Sequence, residues 1–231
     1  MLSVVIPVRD ERDNIRPLYE EITAALEGID YELVYVDDGS TDESYKELAR
    51  LHREDPRVQV VKLKTNYGKA AAYAVGFRTA RGDLIATMDG DMQDNPSDLR
   101  LLLARLNDGC DLVAGWKQRG KSSRCTHLLS VVFNGMIRFL TRVQLHDLNC
   151  PLRVMRRPVA ERMQLYGSLH RYIPLMAVGL GFRVTEVKVS NRERSYGRTK
   201  YGAEKYVKSF FDFITVIFHT HFAERPLHLF G

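Results

Sequence analysis

Asp89 and Asp91 stand two residues apart in the string Asp89-Gly90-Asp91-Met92-Gln93-Asp94, directly after a short apolar run. Two carboxylates on a turn opened by glycine can share one hard cation. Mg²⁺ and Mn²⁺ take oxygen ligands and are commonly held by one or two carboxylates together with substrate phosphates. The amide oxygen of Gln93 could add a third ligand. The same residues could instead form an acidic turn capping a helix that starts at Pro96. A second acidic string, Asp37-Asp38-Gly39-Ser40-Thr41-Asp42, also follows an apolar run. Carboxylates crowded without a cation repel one another, but they can accept hydrogen bonds from a nucleobase and its ribose, or cap the next helix. Basic residues gather elsewhere, at Lys117, Arg119, Lys121 and Arg124 and again between Arg192 and Lys200. Such clusters suit phosphate groups, anionic headgroups or plain solvent.

These strings need a scaffold that brings them together. The first half alternates apolar runs with amphipathic stretches: strands over 2–8, 31–36, 58–63, 84–88 and 111–114, helices over 14–26, from Asp42 through 51, over 69–80 and over 96–106. Strand–helix repetition predicts an α/β protein with a mostly parallel mixed sheet flanked by helices. In such sheets ligands bind beyond the carboxyl ends of the strands. The polar clusters at 9–13, 37–42 and 89–94 all fall at those ends. The second half is less regular, with an apolar helix over 128–140, a strand over 182–189 and an aromatic-rich amphipathic helix over 203–222. The domain reading is one catalytic domain over 1–202 and an interfacial helix and tail over 203–231.

Composition narrows the classes. With 45% hydrophobic and 27% charged residues in 231, the chain builds an ordinary folded core. Three cysteines without CxxC spacing point away from a disulfide framework or zinc site and toward a reducing, cytoplasmic setting. The N-terminus shows no basic region ahead of an apolar stretch, so no export signal is expected. No apolar run reaches the ~18 residues of a membrane span. The net charge of +5 could suggest nucleic acid, but no recognised motif appears and an acidic rim faces the basic loop, so a nucleic-acid partner is not expected.

Val4-Val5-Ile6-Pro7-Val8-Arg9-Asp10-Glu11, then Val36 to Asp42, Asn66-Tyr67-Gly68-Lys69-Ala70 and Asp89-Gly90-Asp91 resemble the inverting glycosyltransferase family 2, with its GT-A (Rossmann-like) fold. The remainder resembles the polyprenyl-phosphate glycosyltransferases related to dolichol-phosphate mannose synthase. The stretches concerned are Val113-Ala114-Gly115-Trp116-Lys117, Leu145-His146-Asp147-Leu148-Asn149-Cys150, Leu169-His170-Arg171-Tyr172-Ile173-Pro174 and Arg194 through Gly202. The resemblance implies a metal-dependent enzyme using a UDP- or GDP-sugar. Pro7, Val8, Asp10, Glu11, Asp38, Lys69, Asp89 and Gly90 would bind the donor. Asp89, Asp91 and Gln93 would hold Mg²⁺ or Mn²⁺, and Arg194 and Lys200 would reach the diphosphate. The family often has Arg where Lys117 stands and His where Asn191 stands.

The acceptor follows from the nucleophile. A sugar hydroxyl needs a general base, and relatives using hydroxyl acceptors carry Glu-Asp near the place of Leu169-His170-Arg171. A phosphate monoester, with a second pKa of about 6, is already ionised at neutral pH. The expected acceptor is therefore a polyprenyl phosphate, met by Lys117, Arg119, Lys121 and Arg124, with Asp147 a base, a positioning residue or a structural cap. The expected location is peripheral, on the cytoplasmic face of a membrane, with homo-oligomerisation left open. The alternatives are transfer to a saccharide hydroxyl and a catalytically inactive nucleotide-sugar-binding protein.

Overall fold

The computed structural model describes residues 1–117, 145–190 and 192. Seven strands form one sheet in the order β3-β2-β1-β4-β6-β5-β7: β1 Leu2–Val8, β2 Tyr31–Asp37, β3 Val58–Lys62, β4 Leu84–Thr87, β5 Leu112–Lys117, β6 Arg153–Arg156 and β7 Val184–Val189. The helices are α1 Arg12–Ala25, α2 Ser44–Glu54, α3 Lys69–Thr79, α4 Asp98–Asn107, α5 Arg157–Glu161 and α6 Ile173–Gly179, with a 3-10 turn at Leu169–Tyr172.

The strand register explains the apolar runs. β1 pairs in parallel with β2 and β4, so both of its edges are bonded, and helices pack on both of its faces. Val4, Ile6 and Val8 pack on the side of α1, α2 and α4 with Ile15, Leu18, Leu48 and Leu99. Val5 points the other way, toward Tyr73 and Phe77 of α3 and Ile173 of α6. Strands buried on both faces read as continuous apolar runs rather than alternating ones.

β6 is the exception to the parallel order, antiparallel to both β4 and β5. The sequence reading had no strand at 153–156, because arginine stands at both ends of this four-residue element. Helix α4 begins at Asp98 rather than Pro96, since the backbone from Asn95 to Ser97 first makes turns, with the Asp98 amide bonded to the Asn95 carbonyl at 3.0 Å. The expected helices over 128–140 and 203–222 lie outside the described residues.

Because β6 alone runs backward, the carboxyl ends of β1, β2, β4, β5 and β7 and the amino end of β6 share one rim. Every functional string of the described chain gathers there. No helix among the described residues is long and apolar enough to cross a membrane.

Candidate active site

The loops after β1 and β2 are knitted together by side chains. Asp10 Oδ1 accepts the Thr41 amide at 2.7 Å, and the amides of Asp10 and Glu11 donate to Ser40 Oγ at 3.0 Å and Ser44 Oγ at 2.9 Å. Glu11 holds the Asn14 side chain at 2.6 Å. Asp42 accepts the Ser44 amide at 2.9 Å, a turn just ahead of α2 rather than the expected cap, since Glu43 stands at the N-cap and makes no side-chain cap bond. Pro7 is half-buried and Val8 buried, and the Val8 carbonyl accepts the Asp38 amide at 2.9 Å.

Asp38 is buried, and its two carboxylate oxygens accept the amides of Tyr67 at 2.8 Å and Gly68 at 2.9 Å. Its carboxylate thus shapes the loop that delivers Lys69 to the rim. Gly39 permits this junction twice over. Its φ of +68° belongs to the left-handed region, and a Cβ there would lie 2.5 Å from the Thr65 carbonyl carbon.

Lys69, in the first turn of α3, forms an ion pair with Asp89 Oδ1, and the Tyr73 hydroxyl donates to the same oxygen at 3.3 Å. Burial alone would raise the Asp89 carboxyl, but Lys69, with His170 and Lys117 nearby, holds it below the usual carboxylate range. Gly90 packs against the end of β1, where a Cβ would sit 3.2 Å from the Pro7 carbonyl. The turn continues through Met92, a non-glycine residue at φ 64°, and Asp91 Oδ1 accepts the Gln93 amide at 3.3 Å. Among the described residues only Asp10 and Met92 combine a side chain with positive φ, and both lie on this rim. Strained backbone of this kind collects at functional sites.

Asp94 closes the turn from below. It is buried, accepts the Asp89 amide at 3.2 Å and pairs with Lys117 Nζ at 2.6 Å. Lys117 also donates to the Gln93 carbonyl at 3.0 Å. Burial and the Asp89 charge push Asp94 up, while burial lowers Lys117 and the Asp94 charge more than restores it, leaving it raised. The residue expected at an acceptor phosphate therefore also fixes the acidic turn. The entry to α4 is managed by Asn95, whose Oδ1 accepts the Ser97 amide at 3.3 Å. The carboxylates of the turn thus stay on the rim, instead of capping α4 as the alternative had it.

On the β6 side the site contains residues to which the sequence reading gave no role. Among the described residues Arg153 is one of the largest fully buried side chains, and it donates to the carbonyls of His170 at 2.8 Å and Leu148 at 3.1 Å. Burial depresses its guanidinium. The His170 ring lies 6.3 Å from that of Tyr73, and burial, reinforced by Lys69, pushes its pKa down to about 3. It is neutral at physiological pH. Asp147, half-buried, accepts the Asn149 amide at 3.0 Å. A charged residue inside the apolar string Leu152-Arg153-Val154-Met155 was the available signal for Arg153. Arg119, Lys121, Arg124, Arg194 and Lys200 lie outside the described residues. Arg192, two residues before Arg194, donates to Asn95 Oδ1 at 3.0 Å and pairs with Glu21 at 2.5 Å.

Among the described residues no three His, Cys, Asp or Glu side chains gather into a metal-holding group. Asp89 and Asp91 on one turn are oxygen donors suited to a hard cation whose remaining positions are filled by substrate phosphates and water. The residues present fit a cation of that kind, and the neighbouring Lys69 offsets part of the acidic charge beforehand.

The seven-stranded mixed sheet thus carries its acidic turn at the carboxyl rim, where ligands bind in α/β sheets of this kind. The description "Glycosyl transferase family 2" matches residues 3–163, and the chain belongs to that family. It is 35% identical over 237 residues to dodecaprenyl-phosphate galacturonate synthase of Rhizobium johnstonii, covering 100% of this chain and 70% of that one. It is 34% identical over 233 residues to undecaprenyl-phosphate 4-deoxy-4-formamido-L-arabinose transferase of Edwardsiella ictaluri, covering 100% and 71%. Among solved structures, glucosyl-3-phosphoglycerate synthase from Mycobacterium tuberculosis, in complex with Mn²⁺, UDP-glucose and phosphoglyceric acid, superposes with a TM-score of 0.73. That likeness covers 95% of this chain and 79% of the other at 19% identity, and it establishes the GT-A fold.

Proposed function

We propose that this glycosyltransferase moves a hexose from a UDP- or GDP-sugar to a polyprenyl phosphate, with inversion at the anomeric carbon, at the cytoplasmic face of a membrane. The observation that carries the reading is the acidic turn at 89–94, bracketed on the common rim by Lys69 from α3 and Lys117 from β5. The acceptor class is supported by two relatives, both named for prenyl phosphates.

The reaction is a single displacement. A non-bridging oxygen of the lipid phosphate attacks the anomeric carbon, the bond from that carbon to the diphosphate breaks, and the nucleoside diphosphate leaves with the electron pair. The attacking monoester is already ionised at neutral pH, so no base has to remove a proton. His170 fits this: it stands where hydroxyl-using relatives carry an acidic pair, and burial pushes its pKa down to about 3, which makes it a weak proton acceptor. Asp89 and Asp91 would hold Mg²⁺ or Mn²⁺, which when bound offsets charge on the departing diphosphate. Lys69 keeps Asp89 ionised. Asp10, Glu11, Asp38 and the loop they organise would form the nucleotide pocket. By the sequence likeness, Arg194 and Lys200 would reach the diphosphate, and Lys117, Arg119, Lys121 and Arg124 the acceptor and the anionic lipid surface.

A donor panel tests this directly. Purified protein with Mg²⁺ or Mn²⁺ and a short-chain polyprenyl phosphate is assayed for nucleoside diphosphate release from UDP- and GDP-sugars. Release that needs both metal and lipid phosphate supports the reading. Release indifferent to the lipid, or none from a folded sample, refutes it.

A further inference from the structure

The loop carrying Asp147 is gripped from two sides by charged groups on different strands. Glu186 lies on β7 opposite Ala114 of β5, and its side chain is only 6% exposed. Its carboxylate accepts the amide of His146 at 2.7 and 2.8 Å and the amide of Asp147 at 3.0 Å. The His146 ring adds a contact through Nδ1 at 3.0 Å and stacks on Trp116 with centroids 4.2 Å apart and planes at 17°. One residue further on, the Leu148 carbonyl is taken by Arg153. Three of the four peptide groups from 145–146 to 148–149 are thus fixed, two by a buried anion and one by a buried cation. Carboxylate bonds to backbone amides are among the stronger hydrogen bonds, and one acceptor holding two consecutive amides fixes the backbone at His146 between them.

A carboxylate on a sheet strand could be spent more simply on solvent or on a lysine. Lys188, on the same strand, instead lies over the Trp116 ring at 5.2 Å, leaving Glu186 to the loop. We propose that Glu186 is a positioning residue for the acceptor half of the site: by holding the amides of His146 and Asp147 it sets where Asp147 stands relative to the incoming lipid phosphate. This rests on the prenyl-phosphate reading above. Glu186 touches no reacting atom and acts through the loop.

The test combines steady-state kinetics with amide hydrogen exchange on the full chain and its Glu186→Gln and Glu186→Ala variants. The KM for polyprenyl phosphate is expected to rise about tenfold in Glu186→Ala, the size of one lost charge-assisted hydrogen bond. The KM for the nucleotide sugar should stay within about twofold, because the donor loops hang from β1, β2 and β4. Glu186→Gln, which keeps one acceptor oxygen, should fall between. The His146 and Asp147 amides should exchange about tenfold faster in Glu186→Ala. Donor and acceptor KM rising together, or neither rising, would overturn the proposal, as would unchanged exchange at these two amides. Absence of lipid-phosphate transfer by the wild-type chain breaks the underlying reading instead, and the exchange measurement still decides whether the clamp exists. If Glu186→Ala does not fold, the Gln variant carries both measurements.

Discussion

The two ends of the sheet are built by different means. At β3-β2-β1-β4 the polar strings directly follow their strands: Asp10, Asp38 and Asp42 accept the backbone amides of Thr41, of Tyr67 and Gly68, and of Ser44, and Asp89 pairs with Lys69. At β6-β5-β7 the charged residues lie within strands and are satisfied across the sheet: Lys117 by Asp94, Arg153 by Leu148 and His170, Glu186 by His146 and Asp147. In the proposed function the first side would take the nucleotide, and the second, whose arrangement depends on several distant residues at once, the acceptor phosphate.

Asp91→Ala should give the largest functional loss. Removing one of the two carboxylates proposed to hold the cation is expected to lower kcat by about 10²–10³-fold or more in the transfer assay. Full activity in this variant would remove Asp91 from the site. Next comes Lys117→Met, which leaves Asp94 buried beside Asp89 without its cation. Breaking such a pair costs about 3–5 kcal/mol, and urea denaturation at pH 7 would measure it. The double variant Lys117→Met with Asp94→Leu should recover much of that loss. No recovery would show that the pair does not act as a unit.

The His170 environment makes a pH prediction on stability. Its folded pKa of about 3 lies below the ordinary value of 6.5, so between those limits the unfolded chain binds more protons. Stability from this group is therefore complete above about pH 6.5 and falls as pH drops toward 3, by at most about 1.4 kcal/mol per pH unit. In His170→Asn the acid limb should flatten; an identical slope would mean that His170 titrates normally. The smallest effect is expected at Asp38→Asn. The amide keeps one acceptor for Tyr67 or Gly68 and loses the charge, so the donor KM should rise by about tenfold at most. The acceptor KM should stay unchanged, and a shift in it would show that the two halves are not separable.

The difference between the halves also explains what could be read from the sequence. The parallel strands were legible because burial on both faces leaves continuous apolar runs such as Leu33-Val34-Tyr35-Val36, and the rim motifs were legible because they follow those runs at once. β6 was illegible: four residues flanked by arginine carry no period, and its pairing is set by β4 and β5, both distant in sequence. Asp94, Arg153 and Glu186 escaped assignment for the same reason, since their partners lie 23, 5 to 18, and 39 to 40 residues away. Asp38 shows a subtler limit. Its place on the rim was clear, but its service to the backbone of Tyr67 and Gly68 becomes evident only when the strands are assembled.

One rim is proposed to join a nucleotide-sugar half to a phosphate-accepting half. The most direct measurement compares, at saturating donor and metal, the transfer rate to a short-chain polyprenyl phosphate with that to the same polyprenol lacking the phosphate. Turnover is expected with the phosphate ester and none above background with the alcohol, since no acidic pair stands at Leu169-His170-Arg171 to take a hydroxyl proton and the phosphate oxygen is already ionised. Comparable rates with the two acceptors would contradict it and return the enzyme to hydroxyl chemistry.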